Sequence, residues 1–346
     1  MTKTGILKPK TAQETSQLIK VALGHEKADL AVINAKVVNV YTGEILENQS
    51  VTGKGEWIAY VGPDAGDAIG PQTEVIDARG QTVIPGLIEG HTHMAWLYSA
   101  YEFIKYVIPG GTTTIVTETF EVYPVSGCDG VVDFLESLKD QPIKIFGTAP
   151  AMISISQAAR GIPPAALEKL LARDDVLGMG ESYWQAVLQE PARILPLYEQ
   201  TLTAGKTLEG HSAGASDKKL AAYVDCGISS CHEPIDAEQV LDRLRLGLHI
   251  MIREGSIRRD LEKIARIKDN DIDLRRLLLS TDGVEPADLL EKGFMEFVLQ
   301  KAINCGFDPV GAIQMATLNV AEHFSLDTII GGIAPGRYAD MVVIPD

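Results

Sequence analysis

Eight times between residues 83 and 282 a short apolar run gives way to a stretch of helical spacing, and this alternation most limits how the chain can fold. The runs lie near 83–91, 112–118, 143–149, 176–181, 206–210, 227–231, 247–252 and 278–282. Each is too short for a buried helix, and several, such as 143–149, 176–181 and 247–252, are rich in apolar residues, as a strand covered on both faces tends to be. Between them, 130–138, 164–172, 191–204, 218–225, 237–246 and 257–268 carry helical periodicity, followed by helices near 285–304 and 309–322. Eight β/α units predict a (β/α)8 barrel of the TIM type.

The flanks read differently. Thr11-Ala12-Gln13-Glu14 is a capping-box pattern ahead of a helix reaching about His25. Four β-type runs follow at 28–33, 36–41, 57–61 and 73–77, split by turns such as Thr42-Gly43-Glu44. A last turn and strand at 331–344 most simply rejoin them. The expected organisation is an N-terminal helix and β-sandwich part at 1–82, the barrel at 83–327, and a return strand at 328–346. The small β-sandwich is thus built from both chain ends. With 346 residues, 45% of them hydrophobic, the chain is long enough for both. It stops directly after a strand, which is the expectation for part of a longer protein.

A net charge of -16 opposes a phosphate-backbone partner, so no nucleic acid is expected. The N-terminus is polar rather than a signal sequence, and no apolar run approaches the ~20 residues that span a bilayer. Cys128, Cys226, Cys231 and Cys305 show no paired framework and read as reduced core thiols. These features predict a cytoplasmic protein with no membrane partner. Barrels of this kind commonly associate, so a homo-oligomer is expected, and a small-molecule substrate is what the resemblance described below implies.

Active sites of such barrels stand at the C-terminal strand ends. There the first strand carries His91-Thr92-His93, two imidazoles on one face because side chains two apart on a strand share it. The fourth ends in Glu181, the fifth in His211, the sixth in His232 and the eighth in Asp282. Five strand ends hold four of the seven histidines in the chain. That clustering predicts a metal centre at His91, His93, Glu181, His211, His232 and Asp282. His25 and His323, at helix ends, and His249, inside an apolar run, are not counted as ligands.

Pro85-Gly86-Leu87-Ile88-Glu89-Gly90-His91-Thr92-His93 and the closing Gly331-Gly332-Ile333-Ala334-Pro335-Gly336-Arg337-Tyr338-Ala339-Asp340 resemble the amidohydrolase superfamily. Gly210-His211-Ser212-Ala213-Gly214, Ser230-Cys231-His232-Glu233, Arg253-Glu254-Gly255-Ser256 and Ser280-Thr281-Asp282 are similar to its bacterial adenine deaminase branch. The resemblance implies two divalent metal ions, Mn2+ or Fe2+ with Zn2+ as a further candidate. His91, His93 and Asp282 would hold one ion, His211 and His232 the other, and Glu181 would bridge them. It also implies hydrolytic deamination of a purine base, adenine first.

Three loops depart from that branch. Met94-Ala95-Trp96-Leu97-Tyr98 follows the paired histidines, Thr117-Glu118-Thr119-Phe120-Glu121 lacks the branch's histidine, and Gly283 follows Asp282 where an aspartate is usual. Another amidohydrolase reaction is therefore the alternative, either cyclic amide hydrolysis or deamination of a different heterocycle. A non-catalytic binding barrel is the alternative of another class. Asp282 is expected to move the water proton. Glu233 would protonate the ring nitrogen or orient its loop. Arg253 would orient the ring or form an ion pair, and Trp96 and Tyr98 would stack on a base or cover the barrel mouth.

Overall fold

The computed structural model describes residues 9–96, 98–156, 159 and 161–344. Of the segments read above, residues 1–8, Leu97 and 345–346 lie outside them. Contacts divide the described chain into a large unit, 88–307, and a small unit, 9–87 with 308–344.

The fourteen strands, in chain order, are β1 Leu30–Asn39, β2 Glu44–Lys54, β3 Trp57–Gly62, β4 Glu74–Asp77, β5 Thr82–Pro85, β6 Leu87–Thr92, β7 Thr112–Thr117, β8 Lys144–Ala149, β9 Val176–Tyr183, β10 Thr207–His211, β11 Ser230–Cys231, β12 His249–Arg253, β13 Leu277–Ser280 and β14 Met341–Ile344. In the large unit they form a five-stranded sheet, β10-β9-β8-β7-β6, and a three-stranded one, β11-β12-β13. Pairing is parallel from β7 to β10 and from β11 to β13. A parallel bridge between Thr92 and Asp282 ties the sheets on one side. The Ser229 N–H donating to the Leu208 carbonyl at 2.9 Å ties them on the other. The eight strands thus run round a TIM-like barrel. All six residues of β6 and all four of β13 are buried, as strands covered on both faces must be.

The small unit opens with helix Ala12–Ala22, whose capping box is formed: Thr11 N donates to Glu14 Oε2 at 2.7 Å and Glu14 N to Thr11 Oγ1 at 3.1 Å. Its strands join one six-stranded sheet, β14-β5-β1-β2-β3 with β4 beside β1. Among the described residues this is one sheet where two packed faces were expected. One stretch of chain supplies both parallel (β1–β4, β1–β5) and antiparallel (β1–β2, β5–β14) partners to the same ladder. Its core holds Val32, Val37, Val51, Ile58, Val83 and Ile333.

Residues 308–327, read in the sequence as the end of the barrel, group with the small unit. Gln314 Nε2 donates to the Val40 carbonyl at 2.7 Å, and Ile333 of the following turn enters the core just described. All four cysteines are free thiols, but only Cys231 is fully buried. Among the described residues, no helix is long and apolar enough to cross a membrane.

Candidate metal centre

The strand-end residues converge within the large unit. His91 and His93 project from the end of β6, and both turn Nε2 toward Asp282 Oδ1, at 3.3 and 3.2 Å. Asp282 follows β13 in the left-handed region, φ 62°, a conformation that aspartate tolerates better than most residues and that often marks functional turns. Its N–H donates to the His91 carbonyl at 3.1 Å. Glu89, fully buried two residues before His91, accepts from the His91 N–H at 2.8 Å and the Thr281 N–H at 2.9 Å. One carboxylate therefore sets the register of the two ligand-bearing strands. Burial pushes it up to about 8, against those hydrogen bonds.

Across the barrel, Glu181 Oε2 lies 3.0 Å from His211 Nδ1 and 2.9 Å from His232 Nε2. The His91 and His232 rings stack with centroids 4.1 Å apart, joining the two halves of the cluster. Donor atoms fall into three groups, each within 4.8 Å: His91, His93 and Asp282; His91, Glu181 and His232; and His211, His232 and Glu233. All six expected ligands are in this cluster, and Glu233 is a seventh member.

Charge in the cluster is strongly coupled. Burial works against an ionised Asp282 or Glu181, yet the facing histidines hold both carboxyls well below the usual range. Burial likewise opposes a charged His93, but Asp282 and Glu121 outweigh it and raise that imidazole to about 10. His91 Nε2 is buried and makes no hydrogen bond. A buried acceptor without a donor, facing imidazole nitrogens and carboxylates on all sides, is the environment of a divalent cation, and this donor set suits manganese, iron or zinc. The residues fit the metals that the sequence implied.

The sequence did not single out three supporting carboxylates. Glu121 Oε1 meets His93 Nδ1 at 2.5 Å, which fixes the tautomer and aims Nε2 at Asp282. Glu118 accepts from the Glu181 N–H at 3.1 Å, lies 3.9 Å from His91 Nδ1, and is raised to about 8 by burial. Asp260 reaches Arg253 at 3.5 Å. Glu118 and Glu121 stand beside the position where the histidine is absent; the altered loop itself was the signal. Phe120 packs edge-on against His93 there, centroids 5.4 Å apart.

Arg253 does not face open space for a ring. It is 3% exposed, and Nη1 donates to Glu233 Oε1 at 2.7 Å and to Asp282 Oδ2 at 3.1 Å. The ion-pair reading of Arg253 is the one this geometry supports. Glu233, between His232 and Arg253, is held down to about 2 in spite of burial; paired on both sides, it orients its neighbours. Trp96 and Tyr98 both border a cavity beside His93. Trp96 is 55% exposed, while the Tyr98 hydroxyl donates to the Val284 carbonyl at 2.5 Å. His249 begins β12, at the barrel end opposite the site.

A second layer fixes the loop after β10. Arg243, 2% exposed on helix Ala237–Arg245, donates to Ser212 Oγ at 2.9 Å and to the Ser212 and Ala215 carbonyls at 2.8 and 3.2 Å. The Tyr223 hydroxyl accepts from the His211 N–H at 3.1 Å. The ring of Tyr183 stacks on His211, centroids 3.8 Å apart.

A parallel barrel with imidazoles and carboxylates at its strand ends is the architecture of a metal-dependent hydrolase. Residues 82–346 match the Amidohydrolase family, and the chain belongs to it. Among curated proteins it is similar to an adenine deaminase of Cenarchaeum symbiosum, 37% identical over 340 residues, covering 97% of this chain and 56% of that protein. It is also similar to one of Moorella thermoacetica, 38% identical over 343 residues, with 97% and 57% covered. The chain thus spans about half the length of the curated relatives it matches. Among solved structures, an adenine deaminase superposes with TM-score 0.67 at 16% identity, covering 91% of this chain and 89% of that one. A β-aspartyl dipeptidase of Fervidobacterium islandicum gives 0.68 at 18%, covering 92% of each. At such identities these two structures speak for the fold alone.

Proposed function

We propose that this chain carries the catalytic barrel of a hydrolytic aminopurine deaminase, converting adenine to hypoxanthine and ammonia. The observation that carries the reading is the pair of carboxylates, each set between two histidines: Asp282 between His91 and His93, and Glu181 between His211 and His232. His91, His93 and Asp282 would hold one divalent ion and His211 and His232 a second, with Glu181 between them. Manganese or iron there, or zinc, supplies the Lewis acidity that makes water nucleophilic near neutral pH.

The chain's own groups do the rest. Asp282 carries the first proton of the attacking water to the ring nitrogen next to the reacting carbon. It then carries the second to the departing amine, so the C–N bond breaks as the carbonyl forms and ammonia leaves. Glu233, ionised, orients His232 and Arg253. Arg253 takes Asp282 Oδ2 and leaves Oδ1 toward the histidines.

The similarity to adenine deaminases over nearly the whole chain supports the substrate. So does the cavity beside His93, which has no lysine or arginine among its lining residues. A β-aspartyl dipeptide, the ligand of the Fervidobacterium structure, is anionic and would want a cation there.

The test is ammonia release from adenine by the manganese-loaded protein, with Glu181→Gln alongside. Release by the wild type that is lost in the variant is expected. A folded, metal-loaded wild type that releases none would overturn the reading.

A further inference from the structure

The cavity beside His93 has a volume of ≈ 220 Å³ and lies entirely within the large unit. Met94, Trp96, Tyr98, Phe103, Ile257 and Val284 supply apolar or aromatic wall, which suits a flat heterocycle. Its polar side chains are few, and they can be accounted for one by one.

Thr92 Oγ1 accepts from Thr281 Oγ1 at 3.3 Å. His93 is engaged at both nitrogens, by Glu121 and Asp282. The Tyr98 hydroxyl is spent on the Val284 carbonyl. Ser256 Oγ donates to Asp288 Oδ2 at 2.5 Å and accepts from the Glu285 N–H at 2.8 Å. That leaves Glu285. Its backbone is pinned by Ser256, and its carboxylate has no partner among the described residues.

The cavity thus offers a ligand one uncommitted carboxylate, that of the exposed Glu285, together with the indole N–H of the half-exposed Trp96. A molecule that fills it well must be flat, must carry no negative charge, and must present an N–H toward Glu285. We propose that Glu285 is a specificity-determining residue that accepts the ring N–H of an unsubstituted base. This rests on the deaminase reading. With the amino-bearing carbon of adenine turned to His93 and Asp282, the N9–H lies at the far end of the fused ring. Glu285 accepts a hydrogen bond there that an N9-substituted base cannot give. The residue selects the free base and rejects bases alkylated or glycosylated at that nitrogen.

The experiment compares adenine with 9-methyladenine on manganese-loaded wild type, Glu285→Ala and Glu285→Gln, by steady-state kinetics and by equilibrium titration of Trp fluorescence. Thermal melting of each variant serves as the check of folding. The expected result is an adenine KM raised about tenfold in Glu285→Ala, with kcat within about twofold. The 9-methyladenine constants should stay unchanged, and Glu285→Gln, whose amide oxygen still accepts, should fall between. An unchanged adenine KM in Glu285→Ala, or an equal loss for both compounds, would overturn the proposal. If the wild type turns over neither compound, the deaminase reading fails and the titration decides separately. Tighter adenine binding that Glu285→Ala abolishes upholds the N–H contact. Equal affinity for the two compounds, or none for either, overturns it.

Discussion

Arg253 divides the two oxygens of Asp282: Nη1 donates to Oδ2 at 3.1 Å, while Oδ1 is left to face His91 and His93. The same guanidinium holds Glu233 at 2.7 Å and Asp260 at 3.5 Å. One buried cation therefore offsets three carboxylates and fixes which lone pairs of Asp282 point at the metal position. Planar, multidentate donation is something arginine does and lysine does not.

Replacing it shows what that cation contributes. In chelator-treated protein, Arg253→Met leaves three buried carboxylates facing one another and should cost about 3–5 kcal/mol of unfolding free energy, read by urea denaturation. Arg253→Lys keeps the charge and should recover part of that stability with less of the activity. A variant as stable as the wild type would show that the cluster tolerates its own negative charge.

Glu181 is the carboxylate shared by His211 and His232. Glu181→Gln removes the anion and keeps the shape. Bound metal per chain, measured by elemental analysis, should fall by about half, with deaminase turnover down more than about 100-fold. Full metal content with lost turnover would move Glu181 from holding metal to the chemistry itself.

Gly255 lies where β12 meets the turn that carries Asp282. A Cβ there would stand 2.0 Å from the Thr281 carbonyl oxygen and 2.4 Å from that of Gly283. Both obstacles are backbone and cannot rotate away. Gly255→Ala should lose about 1–3 kcal/mol of stability and should weaken metal binding, because the displaced turn is the one that aims Asp282. Calorimetry and a metal titration on the same variant check both.

Asp288 contributes to the acid limb of stability. Lys292 first, then Ser256, hold its carboxyl down to about 2 from an ordinary value of 3.8. A depressed carboxyl contributes stability that is present above the unfolded value and lost as pH falls through the folded one. Wild type should therefore lose melting temperature between about pH 4 and pH 2, and Asp288→Asn should lose less over the same interval. The residue is partly exposed, so the difference should shrink in 0.5 M salt (about four to five ångströms of Debye length). Parallel melting curves for the two proteins would show that Asp288 does not titrate as described.

Much of this was written along the chain. A parallel barrel must bury its strands on both faces, so most appear as short runs rich in apolar residues, and it must put its chemistry at the C-terminal strand ends. The order of residues alone was therefore enough to pick out His91, His93, Glu181, His211, His232 and Asp282. Periodicity is local, and so is the end of a strand.

What depended on tertiary structure was every relation between separate stretches of chain. Arg253 could have pointed at a ring or at a carboxylate, and only the packing of β12 beside β13 placed it on Asp282 and Glu233. Glu118 and Glu121 looked like remnants of an altered loop, until the barrel set them behind His91 and His93. The segment from Asp308 carried helical spacing like any barrel helix, and the faces it covers placed it in the small unit. Side-chain identity and spacing fix what a residue can do. Which partner it meets is set by closure of the barrel, where segments almost 200 residues apart, such as those of Glu89 and Thr281, are brought within hydrogen-bond distance.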